Sequence, residues 1–391
     1  MNGPIYNLMT LRQDGVGIYL HIPFCERQCH FCAFFTQGYR EDRAKSFVAD
    51  LLSEIRLYSR AGLLRERPVE AIYLGGGTPT VLTPDQLLEI VESCRRMFHL
   101  EPTVEITIEA NPATVDSPAM QALRSGGINR ISFGAQSFDE TELKAVGAPH
   151  TKNEIMQAVR AARQAGFTNI NLDLMYGLPG QSFARWLSNL EAAIGLAPDH
   201  LSFYGLTFEE GTKLERDRKR GSLSVPTPDI LAAMYQRGRE LVEAAGYLQY
   251  EVSNFARPGH ACRHNLGYWT DREWLGLGPS AHSYLDGDRF CNVASLEAYH
   301  RLVAEDALPI AEREPGSPDL RLREALAFGL RTVGGVKLAP LKGRYGLDPL
   351  ERFRAPIARL TREGWIVLED DVLRPSAEGI LFADDLAVAF L

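Results

Sequence analysis

Three cysteines stand close together near the start of the chain. Cys25, Cys29 and Cys32 form a C-x3-C-x2-C pattern, which arises by chance in a chain of this composition on the order of once in a thousand. Three thiolates on one loop can hold a [4Fe–4S] cluster and leave its fourth iron open. A zinc ion would need a fourth ligand, for which His21 and His30 are near in sequence.

A run of three glycines follows the second apolar segment of the chain. In residues 75–80, Gly-Gly-Gly-Thr-Pro-Thr, backbone without Cβ atoms lets a ligand approach closely. Free N–H groups there can bind a carboxylate, and carbonyls can bind an amine. Polar residues close the later apolar segments: Glu109, Gln136, Asp173 and Thr207. We expect them at one mouth with the cysteine loop, because the carboxyl ends of parallel strands converge.

Composition limits the class of protein. The 391 residues are 45% hydrophobic and carry a formal net charge of −8, which fits a globular chain and disfavours a nucleic-acid partner. No apolar run approaches the ~18 residues of a membrane span. The residues before Gly17 lack the apolar stretch of a signal peptide. We therefore expect a cytoplasmic protein with reduced thiols, which also disfavours a disulfide.

The elements that must position these residues alternate between short apolar runs and amphipathic stretches. Six strand–helix units over residues 1–250 predict an α/β fold, a partial (β/α)6 barrel of TIM-like type. Residues 251–314 form a connecting segment. Residues 315–391 predict a small helical, winged-helix-like domain with a β-wing, with a helix over 349–363 that could break at Pro356 and a last helix over 377–391. The predicted strands are 16–22, 71–74, 104–109, 130–133, 169–175 and 200–206.

The motifs taken together resemble a known family. Tyr19-Leu-His-Ile-Pro-Phe before the first cysteine, the glycine run, Glu-Ala-Asn-Pro at 109–112, Gly-Ala-Gln-Ser-Phe at 134–138 and Asp-Leu-Met-Tyr-Gly-Leu-Pro-Gly at 173–180 are similar to the radical S-adenosylmethionine superfamily. Within it, the chain resembles the HemN-like family of oxygen-independent coproporphyrinogen III oxidases and haem chaperones. The likeness runs from about Gly17 to the C-terminus.

The resemblance implies roles for these residues. The three cysteines would ligate three irons of a [4Fe–4S] cluster, and S-adenosylmethionine would chelate the fourth. The residues implied to contact S-adenosylmethionine are Tyr19, Gly76, Gly77, Thr78, Glu109, Gln136, Asp173 and Thr207. One position departs from the family pattern: Ala148 stands where the family usually has an arginine, which removes a cation expected near the cofactor carboxylate.

Three features distinguish the chaperones from the oxidases of this family. Phe34 replaces a further cysteine of the oxidases, and only 24 residues precede Cys25. His264, Asn265, Tyr268 and Trp269 match an H-N-x-x-Y-W motif of the chaperones. A neutral imidazole is a natural axial ligand of haem iron, and the aromatic residues offer flat apolar surface. From the residues alone, a buried polar pair with core aromatics remains the other interpretation.

We therefore expect a haem chaperone that carries haem as cargo and passes it to an acceptor protein. The acceptor is unidentified and could be membrane-associated, and an electron donor is a further expected partner. The alternative is an oxygen-independent coproporphyrinogen III oxidase of the radical S-adenosylmethionine type. A radical enzyme with another substrate is the third interpretation, because the fold supports many reactions.

Overall fold

The computed structural model describes residues 14–64 and 66–391. Its strands are β1 (Val16–Ile22), β2 (Phe24–Cys25), β3 (Gln37–Gly38), β4 (Val69–Gly76), β5 (Leu100–Ala110), β6 (Arg130–Gln136), β7 (Ile170–Tyr176), β8 (His200–Gly205), β9 (Leu248–Gln249), β10 (Asn254–Ala256), β11 (Glu273–Leu277), β12 (His282–Leu285), β13 (Asp288–Asn292), β14 (Ile310–Glu314), β15 (Val336–Lys337), β16 (Ile366–Glu369) and β17 (Val372–Pro375). Its α-helices are α1 (Glu41–Ala61), α2 (Pro84–Met97), α3 (Ser117–Ser125), α4 (Glu140–Ala145), α5 (Lys152–Gln164), α6 (Phe183–Gly195), α7 (Lys213–Lys219), α8 (Pro228–Ala244), α9 (Arg263–Trp269), α10 (Leu296–Ala304), α11 (Pro318–Gly329), α12 (Leu338–Tyr345), α13 (Pro349–Arg352), α14 (Arg354–Arg362) and α15 (Ala383–Val388).

The central sheet has twelve strands in the order β14-β13-β12-β11-β1-β4-β5-β6-β7-β8-β10-β9. Strands β1, β4, β5, β6, β7 and β8 run parallel, which confirms the predicted α/β barrel segment of six strands. Within the described residues the sheet is not closed, because β14 and β9 are its two edges. Strand β11 adds a seventh parallel strand beside β1, and β12 to β14 continue antiparallel.

Each parallel strand buries one set of alternate residues against the helices. In β1, Ile18, Leu20 and Ile22 are fully buried and belong to the same core as Leu51 and Ile55 of α1. The intervening side chains face the inside of the curved sheet, because successive residues of a strand point to opposite faces. Helix boundaries follow local capping signals, such as the reciprocal capping box of Thr83 and Gln86 at the start of α2.

The register of the sheet arranges the inward side chains in layers. Gly17 of β1 pairs with Ala71 of β4, and Ala71 pairs with Glu105 of β5. Two residues further along, Tyr19, Tyr73 and Thr107 form the next layer. Above it, His21 lies opposite Gly75, and Glu109 ends the same stretch of β5. Helix α9 lies at the lowest layer, where the Arg263 N–H donates to the Glu105 carboxylate at 2.9 Å.

The C-terminal residues have a buried core of their own, which extends from Leu322 to Phe390. The helix predicted over 349–363 is interrupted at Phe353, not at Pro356. Pro356 lies in the first turn of α14, where a missing N–H costs nothing. The last helix is shorter than predicted, because 379–382 form a 3₁₀ turn at Gly379, whose backbone packs directly on the Trp365 carbonyl.

Within the part of the chain that the structure describes, no helix combines the length and the apolar character needed to cross a bilayer.

Candidate cofactor and haem sites

The cysteine loop lies above the carboxyl end of β1. Strands β2 and β3 pair in parallel and close the loop, and all three cysteines are half-buried free thiols. Burial raises the pKa of Cys25 and Cys32, and burial together with the other two thiols raises the pKa of Cys29 to about 12. These three thiols disfavour one another's ionisation. They therefore fit a group whose positive metal ions bind thiolates, such as an iron–sulfur cluster.

The two histidines near this loop are engaged elsewhere. The His21 Nε2–H donates to the Phe35 carbonyl at 2.9 Å, and its Nδ1 accepts from the Tyr19 hydroxyl at 3.1 Å. The His30 Nδ1–H donates to the Ala145 carbonyl at 3.1 Å. Among residues 14–64 and 66–391, no three His, Cys, Asp or Glu side chains are grouped to hold one metal ion. A cluster spreads its ligands over several irons, so the donor set here suits a cluster better than zinc.

The glycine run fastens the cysteine loop to β4. The Gly77 N–H donates to the Ile22 carbonyl at 2.8 Å, and the Thr78 N–H donates to the Phe24 carbonyl at 2.7 Å. The Thr78 hydroxyl lies 3.5 Å from the Cys25 sulfur. Contrary to the expectation, the N–H groups of Gly77 and Thr78 are therefore not free for a carboxylate, because the carbonyls of Ile22 in β1 and Phe24 in β2 accept them.

Glu109 anchors the same glycine run from below. Its Oε2 accepts from the Gly76 N–H at 3.2 Å, and its Oε1 accepts from the Tyr73 hydroxyl at 2.8 Å. Burial raises the pKa of Glu109 to about 7, with a further contribution from Asp173. Gly76 has φ of 107°, a conformation that a side chain would strain, so this turn requires glycine.

Gln136 and Asp173 line the mouth on the next two strands. Gln136 ends β6 with φ of 57°, an uncommon conformation for a residue other than glycine that often marks a functional site. Asp173 accepts from the Ser132 hydroxyl at 2.8 Å and from the Asn171 amide at 2.9 Å. Burial raises the pKa of Asp173. Thr207 is exposed two residues beyond the end of β8.

An arginine of the cysteine loop lies where the family arginine is missing. The Arg27 guanidinium donates to the carbonyls of Gly147 and Ala148, at 3.2 and 2.6 Å. Its charge also acts on Cys29, whose pKa it lowers against the larger effect of burial. A cation is thus present beside Ala148, although it comes from a segment 121 residues earlier. Sequence reasoning missed it, because no local pattern links two positions so far apart.

His264 lies inside the sheet below these groups. It is 3% exposed, and its ring stacks on Tyr73 with centroids 4.9 Å apart and on Tyr19 with centroids 6.0 Å apart. Its Nε2 shares a hydrogen bond of 2.8 Å with the Tyr268 hydroxyl. Burial, with a contribution from Arg130, lowers the pKa of His264 to about 3, so the imidazole is neutral and suited to bind a metal.

The other residues of this motif point to different neighbours. Tyr268 packs edge-on against His264 and Trp274, and Asn265 is half-buried. Trp269 faces the C-terminal residues, with its ring 6.4 Å from Phe328 and under the Arg331 guanidinium at 5.2 Å. The motif therefore links the sheet interior to α11 in the C-terminal part of the chain. The cavity beside His264 and Tyr268 has a volume of about 20 Å³, far smaller than a porphyrin.

The sheet and the cysteine loop define the class of protein. The signature of the Radical SAM superfamily matches residues 19–193, and that of the HemN C-terminal domain matches residues 317–382. A solved structure of coproporphyrinogen III oxidase (HemN) from Escherichia coli, described as a radical SAM enzyme, has a TM-score of 0.83 at 24% identity, covering 96% of this chain and 89% of its own, and so shares the fold. The chain is thus a radical SAM protein with a HemN-type C-terminal domain, a class defined by a [4Fe–4S] cluster and S-adenosylmethionine.

Sequence relatives give the particular family. Heme chaperone HemW of Bacillus subtilis is 32% identical over 95% of this chain and 98% of its own length. Heme chaperone HemW of Mycobacterium tuberculosis is 36% identical over 94% of this chain and 93% of its own length. The chain belongs to the HemW family.

Proposed function

We propose that this protein is a haem chaperone, which binds haem through His264 and delivers it to an acceptor protein. The observation that carries the proposal is a neutral imidazole, held in an aromatic stack on α9 and placed two layers below the cysteine loop. The names of the relatives support it. An imidazole with a strongly lowered pKa needs no deprotonation before it ligates iron, and the environment of His264 supplies that state.

Each residue at the mouth of the sheet has a proposed role in holding the cofactors. Cys25, Cys29 and Cys32 would ligate the cluster, and the cluster with S-adenosylmethionine supplies radical chemistry in this superfamily. Tyr19, Gly76, Gly77, Thr78, Glu109, Gln136, Asp173 and Thr207 would surround S-adenosylmethionine. In this chain, Glu109 holds the glycine run, and Arg27 brings a positive charge to the mouth. These roles keep the cofactor oriented and leave haem at a separate place.

Haem ligation needs a movement of α9. The His264 Nε2 is engaged by Tyr268, and the neighbouring cavity of about 20 Å³ has room for about one water molecule and none for a porphyrin. Asn265, Tyr268 and Trp269 would form the haem surface once the helix shifts. We place the protein in the cytoplasm, where three half-buried thiols stay reduced, with an unidentified acceptor and an electron donor as its partners.

The proposal is tested by anaerobic haem titration of the cluster-loaded protein, followed by the Soret band. We expect saturable binding near one haem per chain, weakened at least about tenfold in His264→Ala, since loss of an iron ligand costs more than one hydrogen bond. His260→Ala is the matched control, because the His260 side chain is half-buried in a loop and its Nδ1 hydrogen-bonds to the nearby Pro258 carbonyl. Anaerobic coproporphyrinogen decarboxylation without specific haem binding would instead favour the oxidase.

A further inference from the structure

One side chain touches both candidate sites. Tyr73 is in the middle layer of the sheet, between α9 below and the glycine run above. Its hydroxyl donates to Glu109 Oε1 at 2.8 Å, and its ring stacks on His264 at 4.9 Å with an interplanar angle of 23°. No motif marked it in the sequence, because its partners lie 36 and 191 residues away.

The stack around Tyr73 is continuous. Tyr19 lies beside Tyr73 at 6.3 Å and beside His264 at 6.0 Å, and all three rings are within 27° of parallel. Close-packed interiors deform in discrete steps. A shift of one ring in such a layer therefore requires the other two to move.

Building on the proposed function, we propose that Tyr73 is a positioning residue that couples the S-adenosylmethionine site to the haem site, so that occupancy of one weakens binding at the other. Glu109 would hold Tyr73 more firmly when S-adenosylmethionine is bound above it. Tyr73 would in turn restrict the movement of His264 below. The coupling gives the cofactor a part in haem release that requires no net chemistry on haem.

The sign of the coupling follows from the contacts. A ligand seated on the glycine run holds Gly76 and Glu109 in place, and the Glu109 carboxylate in turn holds the Tyr73 hydroxyl. Tyr73 then keeps His264 in the stack. Haem ligation requires His264 to leave Tyr268 and the stack, so a firmly held Tyr73 opposes it. S-Adenosylmethionine should lower haem affinity, and by linkage haem should lower S-adenosylmethionine affinity by the same factor.

The test is the ratio of haem dissociation constants with and without saturating S-adenosylmethionine, measured on the cluster-loaded protein by Soret titration. We expect a ratio of about five to ten for the wild type, within the usual range of coupling between sites. Tyr73→Phe keeps the ring and removes only the bond to Glu109, and its ratio should fall below about two. Calorimetric titration of S-adenosylmethionine with and without haem should give the same ratio.

Tyr58→Phe is the matched control. Tyr58 is a fully buried tyrosine of α1 whose hydroxyl has no hydrogen-bond partner among the described residues, so its variant should keep the wild-type ratio. Intact haem binding with equal ratios in the wild type and Tyr73→Phe would overturn the role of Tyr73, as would a wild-type ratio of one. Failure of the wild type to bind haem would overturn the proposed function together with this inference.

Discussion

At the scale of single residues, Arg27 of the cysteine loop supplies a positive charge at the mouth of the sheet. The guanidinium of Arg27 lies on the carbonyls of Gly147 and Ala148, so it ties the cysteine loop to the segment between α4 and α5. The same charge favours the thiolate of Cys29. One residue thereby combines a mechanical role with an electrostatic one, and the two roles can be separated by substitution.

We expect Arg27→Gln to shift the cluster reduction potential about 20–40 mV more negative, since a lost positive charge makes added negative charge less favourable. Arg27→Lys should recover most of the shift because it retains the charge. Redox titration followed by electron paramagnetic resonance measures the potential. Arg124→Gln is the control, because among the residues that the structure describes that guanidinium donates to one carbonyl, that of Gly166. An unchanged potential in Arg27→Gln would contradict the electrostatic role.

Residue types and spacing predicted much of the candidate site. The cysteine loop, the glycine run and Glu109 were found from local patterns, and the structure brings them together through the hydrogen bonds of Gly76, Gly77 and Thr78. Tyr73 and Arg27 carry no such signal. Their roles depend on partners brought near by the sheet register and by loop packing, which a single sequence does not encode locally.

At the scale of elements, the glycine run acts as a fastener between β4 and the cysteine loop. A Cβ atom on Gly77 would lie 2.5 Å from the Phe24 carbonyl oxygen and 3.0 Å from that of Ile22. Both contacts are with backbone, which cannot rotate away. The close approach of the two segments therefore depends on the absence of a side chain at this position.

We expect Gly77→Ala to lower the free energy of unfolding by about 1–3 kcal/mol, the usual cost of overpacking, and to reduce the iron bound per chain. Urea unfolding and iron analysis after anaerobic reconstitution measure these effects. Gly38→Ala is the matched control in β3, since its Cβ would meet no atom of residues 14–64 and 66–391 within 4 Å. Equal iron content in the two variants would show that cluster binding does not depend on the close approach of the cysteine loop to β4.

The elements that sequence patterns predicted well are the parallel strands with long apolar runs, such as β1 and β4. Strands β11 to β14 were missed, because they are short and mix exposed and buried residues, as in the exposed β14. Helix α9 was also missed, since seven residues are too few for a helical period to stand out. These elements owe their stability to packing against the sheet more than to their own sequence.

At the scale of the whole molecule, a buried carboxyl joins distant parts of the chain. Glu54 of α1 is fully buried and accepts from the Gly278 N–H at 2.7 Å, the Asn292 amide at 2.6 Å and the Tyr299 hydroxyl at 2.5 Å. Burial raises the pKa of Glu54 to about 7. Because the folded chain then binds more protons than the unfolded chain, this group makes stability fall as pH rises from about 4.5 to about 7.

We expect Glu54→Gln to be less stable than the wild type by about 1–3 kcal/mol at pH 5. The reason is that the amide N–H₂ of glutamine would point at a hydrogen-bond donor, in the place of a carboxyl oxygen that accepted a hydrogen bond from it. The difference should narrow by pH 8, because the variant lacks the titration that weakens the wild type. Urea unfolding of the cluster-free protein at both pH values measures this. Glu92→Gln makes the same substitution at an exposed position of α2 and is the matched control.

The position of β1 in the sheet also constrains how the protein is made. One edge of β1 pairs with β4, but the other pairs with β11, from Val16 with Glu273 to Leu20 with Leu277. At synthesis rates of ~5–20 residues per second, the nascent chain waits roughly 13–50 s between the completion of β1 and that of β11. The cysteine loop and the glycine run can meet long before α9 and β11 emerge. The ribosome therefore presents the cluster-binding half first, and the imidazole of His264 can reach its stack only after about two-thirds of the chain has been made.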